Sequence, residues 1–120
     1  MKKIKTNAMR KLDTEKITYV FHQYTVRPKI TVEELSSDIG RDSHLIFKTL
    51  VTVSPNQNHY IFCLPLEDEL DLKKAAKEAN VKSLSMIDQK DLLHLTGYER
   101  GGVSPIGMKK SFPTFIDKKA

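Results

Sequence analysis

The chain has 120 residues, with 20 Lys+Arg against 15 Asp+Glu for a net charge of +5, 39% hydrophobic residues and one cysteine. This length supports one compact domain spanning 1–120, burying roughly two-thirds of the surface its unfolded form exposes, and it excludes two large domains. A single cysteine excludes an internal disulfide and any cysteine-pair zinc site, which fits a reducing compartment and makes the cytoplasm the expected location.

Met1 to Lys5 is positive, but Thr6, Asn7, Arg10, Lys11 and Asp13 interrupt the apolar stretch a signal peptide needs. Instead a helix is predicted from Thr6 or Asn7 to about Glu15, with Ala8, Met9 and Leu12 on one face. Ile17 to Tyr24 then alternates and is rich in β-branched and aromatic residues, so it predicts a strand that Arg27-Pro28 ends. Thr31-Val-Glu-Glu34 matches a capping box for a short helix whose buried stripe is Val32, Leu35 and Ile39 and whose end is Gly40.

Leu45 to Val53 reads as a strand, apolar but for Lys48 and two threonines. Ser54-Pro-Asn-Gln-Asn58 is a turn, and His59 to Leu64 is the returning strand of a hairpin stopped by Pro65. Asp71 caps a helix with Leu72, Ala75, Ala76 and Ala79 at helical spacing, and Asn80 suits its end. Ser83 to Met86 is a short edge strand, Asp88 caps a helix to Thr96, and a last strand runs around Pro113 to Asp117. Helices and strands alternate without βαβ regularity, so the expected class is mixed α/β (α+β). No uncharged apolar run approaches the ~20 residues that cross a bilayer, so no membrane partner is expected.

Charge is distributed unevenly. Residues 1–16 carry six basic and two acidic groups, 17–99 nine and twelve, and 100–120 five and one. Basic ends suit a polyanion, because lysines that neutralise phosphates release counterions, although solvated lysine-rich tails have the same composition.

Two features point to chemistry. Lys48 is a cation in an otherwise uncharged strand; it either snorkels to the sheet rim or faces a phosphate or developing oxyanion. The segment Gly97 to Gly107 holds four of the five glycines, with Pro105 stiffening it, and its backbone amides suit an anion. It contains neither of the glycine patterns of nucleotide loops, and Ser104 lies in G-x-S-x-x-G, one residue too long for a nucleophile elbow. His22, His44, His59 and His94 show no metal-ligand spacing, so no metal is expected. Cys63, within an apolar strand, reads as a core residue, and the acidic run Glu67 to Asp71 reads as charge favourable to the following helix.

Phe47-Lys-Thr-Leu-Val51, Glu69 to Lys77, Leu95-Thr-Gly-Tyr98 and Gly101-Gly-Val-Ser-Pro-Ile-Gly107 occur in one order over nearly the whole chain. Together they resemble the YbaK-type family of Cys-tRNA(Pro) deacylases, small bacterial proteins similar to the editing domain inserted in prolyl-tRNA synthetase. The resemblance implies a curved or barrel-like mixed sheet with flanking helices, no cofactor, and hydrolysis of the ester joining a wrong amino acid to tRNA. It maps an essential lysine onto Lys48, a glycine-proline loop onto Gly101, Gly102, Ser104, Pro105 and Gly107, and a pocket tyrosine onto Tyr24. Relatives that clear alanine typically have Asn after the lysine, so Lys48-Thr49 favours the cysteine-clearing branch and places Thr49 at the substrate. It also implies that the substrate's own thiol can attack its ester, with water as the other nucleophile.

Family members commonly continue beyond the point matching Ala120, adding sheet and helix, so the expectation is a domain lacking a C-terminal segment. An incomplete sheet exposes an edge on which a homodimer could form. The expected partners are mischarged tRNA and prolyl-tRNA synthetase. The alternative reading is a non-catalytic protein that binds tRNA or that synthetase.

Overall fold

The computed structural model describes residues 6–21, 31–98, 103–108 and 112–120. Helix α1 (Asn7–Thr14) begins with a reciprocal cap: the Thr6 hydroxyl accepts the Met9 amide at 3.2 Å, and Met9 Sδ accepts the Thr6 amide at 3.3 Å. Sulfur thus takes the place usually filled by a carboxylate or amide. Lys16 turns the chain out of the helix with φ +57°. The strand expected from Ile17 is not formed over 17–21. Ile17, Val20 and Phe21 are exposed, at 52%, 70% and 43%. Alternation favours a strand only where a ladder and a covering face exist, and the Ile17 amide instead returns to Leu12 O at 2.9 Å. The remainder of that expected strand lies outside the described residues.

Helix α2 (Val32–Ile39) starts where its cap predicts, with Thr31 Oγ1 accepting the Glu34 amide at 3.1 Å, and ends at Gly40 with φ +75°. A 3-10 turn, Ser43–Leu45, follows and takes Leu45 out of the expected strand. Strand β1 (Phe47–Val53) then pairs with β2 (His59–Pro65) as an antiparallel hairpin, in the register Lys48 to Leu64 and Thr49 to Cys63. Helix α3 (Leu72–Glu78) is capped by Asp71 and released by Asn80 at φ +57°. The two-residue β3 (Ser85–Met86) pairs antiparallel with the far end of β1. Helix α4 (Gln89–Thr96) has Asp88 in the capping position without the expected side-chain bond, and Gly97 closes it at φ +83°. Strand β4 (Thr114–Ile116) joins β2 in parallel.

The sheet order is β3-β1-β2-β4. It is a mixed sheet with flanking helices, as expected for an α+β fold. It is open, with β3 and β4 as edges, and no barrel closure is formed among the described residues. Each face carries its own core. Val51, Ile61, Cys63 and Leu92 form one, with Phe47, Val103, Met108 and Phe112 packed on it. Phe62, Ala75, Ala76 and Leu84 form the other, where two alanines let α3 approach Phe62 closely and Phe115 stacks on that ring at 5.2 Å. Full burial of an aliphatic chain such as Ile61 contributes about 2 kcal/mol relative to exposure.

Candidate active site

Side chains alternate across a strand, so neighbours in β1 leave opposite faces of the sheet. Thr49 shares the face of Val51 and meets Cys63, with Oγ1 3.8 Å from Sγ. Lys48 faces the other way. It is half-buried opposite Leu64, on the face where Phe62 packs against α3. β3 covers only Thr52 and Val53, and the Ile87 amide bonds Val51 O at 3.1 Å, so among the described residues no strand lines Phe47 to Leu50 on that side. Among the described residues Lys48 and Thr49 therefore have no strand partner on that side, and Lys48 has a long stem that can carry its charge away from the apolar face.

Burial pushes the Cys63 thiol up, against a smaller opposing effect of the Thr49 hydroxyl. The sulfur is a neutral, buried group, which agrees with its reading as core rather than nucleophile.

The described part of the glycine-proline loop, 103–108, is anchored at both ends, because Val103 and Met108 pack on the core that contains Cys63. Within it the Ser104 hydroxyl accepts the Ile106 amide at 3.2 Å. Gly107 has φ +72°, and a Cβ there would lie 2.7 Å from Asn7 O, so the base of the loop presses on the first turn of α1. Both facts require glycine at this position.

Tyr98 ties these parts together. Its ring is buried, with 6% exposure, and its hydroxyl donates to Ile106 O. Burial pushes the phenol up and outweighs the opposing effects of the Ala8 amide, the Ser104 hydroxyl and Arg10, which lie near the same oxygen. Thr96, fully buried, holds the approach to it: its hydroxyl donates to Leu92 O at 2.8 Å and accepts the Tyr98 amide at 3.0 Å.

Of the residues expected at the site, Thr49 meets the core around Cys63, and Ser104, Pro105 and Gly107 lie between Val103 and Met108, which pack on that same core. Lys48 lies next to them along the strand but on the opposite face. Tyr24, Gly101 and Gly102 lie outside the described residues. Ser104 accepts the Ile106 amide and lies near the Tyr98 hydroxyl, which makes it a loop-shaping group. Sequence reasoning used Tyr98 only as part of the Leu95-Thr-Gly-Tyr98 motif and gave it no place at the site; the signal was a hydroxyl-bearing aromatic directly after a helix-ending glycine and before the loop. Among the described residues no three His, Cys, Asp or Glu side chains gather to hold a metal ion. Nor is any helix there long and apolar enough to cross a membrane.

Comparison with known proteins bears on the same segments. The family model described as the aminoacyl-tRNA editing domain matches residues 26–120. The chain is 42% identical over 117 residues to the "Putative Cys-tRNA(Pro)/Cys-tRNA(Cys) deacylase EbsC" of Enterococcus faecalis, covering 97% of the chain and 71% of that protein. It is 33% identical over 87 residues to a "Proline--tRNA ligase" of Shouchella clausii, covering 72% of the chain and 15% of the ligase. The crystal structure of "a putative trans-editing enzyme for prolyl tRNA synthetase" superposes with a TM-score of 0.77 at 25% identity, over 96% of this chain and 74% of that one. With the ordered motifs, the open mixed sheet and the anchored loop, these matches show that the chain belongs to the aminoacyl-tRNA editing domain family, a family of aminoacyl-tRNA deacylases.

Proposed function

We propose that the protein is a trans-editing hydrolase that cleaves the aminoacyl ester of mischarged tRNA, with Cys-tRNA(Pro) as its substrate. The observation that carries this reading is the adjacency of Lys48 and Thr49 in β1, with Thr49 on the face where both ends of the 103–108 loop segment pack. The likeness to EbsC supports the cysteinyl substrate, and the likeness to a proline-tRNA ligase supports proline tRNA and a working association with prolyl-tRNA synthetase.

An aminoacyl ester is already reactive, so orientation and stabilisation of a negative oxygen supply most of the required catalysis. Lys48 provides the charge, carried on its long stem to the terminal phosphate or the ester oxygen. Thr49 and the 101–107 loop orient the aminoacyl group, with Tyr24 lining the pocket. In a cysteinyl substrate the thiol sulfur attacks the ester carbonyl, a C–S bond forms, the C–O bond to the ribose breaks, and the ribose oxygen takes the proton. Water is the nucleophile for substrates without a thiol.

Incubation of Cys-tRNA(Pro) with wild type and with Lys48→Ala is the test. The expected result is rapid ester loss with wild type and a fall of about 100-fold or more with the variant, the order seen when a transition-state charge contact is removed. Equal rates for wild type, variant and buffer would refute the reading.

One observation favours a second reading, a non-catalytic binder of tRNA or of the synthetase: Lys48 and the loop occupy opposite faces of the sheet. A salt titration separates the two. Affinity for tRNA that falls with salt, with no ester cleavage at any salt concentration, is the outcome for a binder, since phosphate contacts are salt-sensitive.

A further inference from the structure

We infer that Tyr98 is a positioning residue for the reaction: its hydroxyl clamps the 104–107 segment onto the first turn of α1 and so fixes the loop backbone that faces the ester. The inference rests on the proposed deacylase reading and adds to it a residue and an element, α1, to which that reading gives no part.

Three segments far apart in the chain meet at one oxygen. Tyr98 Oη donates to the Ile106 carbonyl, and the Ala8 amide and the Ser104 hydroxyl lie beside it, close enough to oppose the effect of burial on the phenol. Ala8 is the second residue of α1, and an amide in the first turn of a helix has no acceptor within that helix. Thr6 satisfies the Met9 amide, and the phenol of Tyr98 is the polar group set beside that of Ala8, so the helix start is approached from within the chain and from across the fold. Directly beside Ala8 the missing side chain of Gly107 brings the loop to within contact of Asn7 O. The Tyr98 ring is buried and Thr96 holds its backbone, so the hydroxyl is presented from a fixed base. Removing that one oxygen leaves the Ile106 carbonyl without its donor and loosens the loop against α1. A displacement of about 1 Å in a positioned group can cost about 100-fold in rate.

Tyr98→Phe in the full chain tests the inference, because it keeps the ring and deletes the hydroxyl. The expected result is a kcat for Cys-tRNA(Pro) hydrolysis lowered about 10- to 100-fold, with KM within about twofold and the thermal midpoint lowered by only a few degrees. Ser104→Ala is expected to lower kcat less. Combined with Tyr98→Phe it adds little further loss, since both side chains bond Ile106. Amide hydrogen exchange reads the clamp without any activity: in Tyr98→Phe the Ala8 amide exchanges at least about tenfold faster, while amides of β2 are unchanged. A kcat within about twofold of wild type, or Ala8 exchange unaltered by the substitution, overturns the inference. If wild-type protein cleaves no ester at all, the deacylase reading falls, and the exchange rate of Ala8 still decides whether Tyr98 clamps the loop.

Discussion

Gly40 and Gly107 share a left-handed backbone but not an environment. A Cβ on Gly40 would meet nothing within 4 Å, whereas one on Gly107 would meet the backbone of Asn7 at 2.7 Å. Gly40→Ala is therefore expected to cost about 1 kcal/mol, from the conformation alone. Gly107→Ala adds a collision with main-chain atoms and is expected to cost about 3 kcal/mol, which urea unfolding midpoints of the two variants will resolve. Two buried titrating groups among the described residues make stability fall at alkaline pH. Burial pushes up both the Cys63 thiol and the Tyr98 phenol from their ordinary values of 9.0 and 10.0. Above those values the unfolded chain loses protons that the folded chain keeps. The stability these groups contribute is complete below about pH 9 and is lost as pH rises through the folded values. Unfolding midpoints are expected to be flat from about pH 7 to 8 and to fall toward pH 10, and Cys63→Ala should remove the earlier part of that fall.

The helix starts make a matched comparison. Asp71 accepts the amides of Lys73 and Lys74 at 3.0 and 3.1 Å, while Asp88 occupies the same position before α4 without a side-chain bond. Asp71→Ala is expected to lower stability by about 1 kcal/mol and Asp88→Ala by only a few tenths, measured in the same urea series. Elements fixed by such local bonds were legible in the sequence: Thr31 and Asp71 as starts, Gly40 and Asn80 as ends, and the hairpin around Ser54 to Asn58. Ile17 to Phe21 was not legible, because the same alternation that suits a strand acquires meaning only when another strand lies beside it. The candidate site divides in the same way. Lys48 stands out in its strand at a glance, and the period of two sets its face once the strand is placed. The part played by Tyr98 arises from the meeting of Ala8, Ser104 and Ile106, which no window of sequence contains.

At the scale of the molecule, β2 is the axis: it pairs with β1 on one side and β4 on the other, and it lies between the two cores. Its residues Ile61, Phe62, Cys63 and Leu64 are all buried. Amide exchange is therefore expected to be slowest along β2 and fast in β3 and at Ile116, which is 61% exposed at the rim of β4. The parallel pairing of β2 with β4 could not be read from the sequence, because β2 follows β1 at once whereas β4 arrives after α3, β3 and α4. That separation sets a timetable for synthesis. The hairpin of β1 and β2 has its partners as soon as it leaves the ribosome, but the second side of β2 and the ring that stacks on Phe62 are supplied by residues 114–116. A nascent chain halted before them carries a central strand with one side open, so β2 gains its second partner only once translation has passed β4.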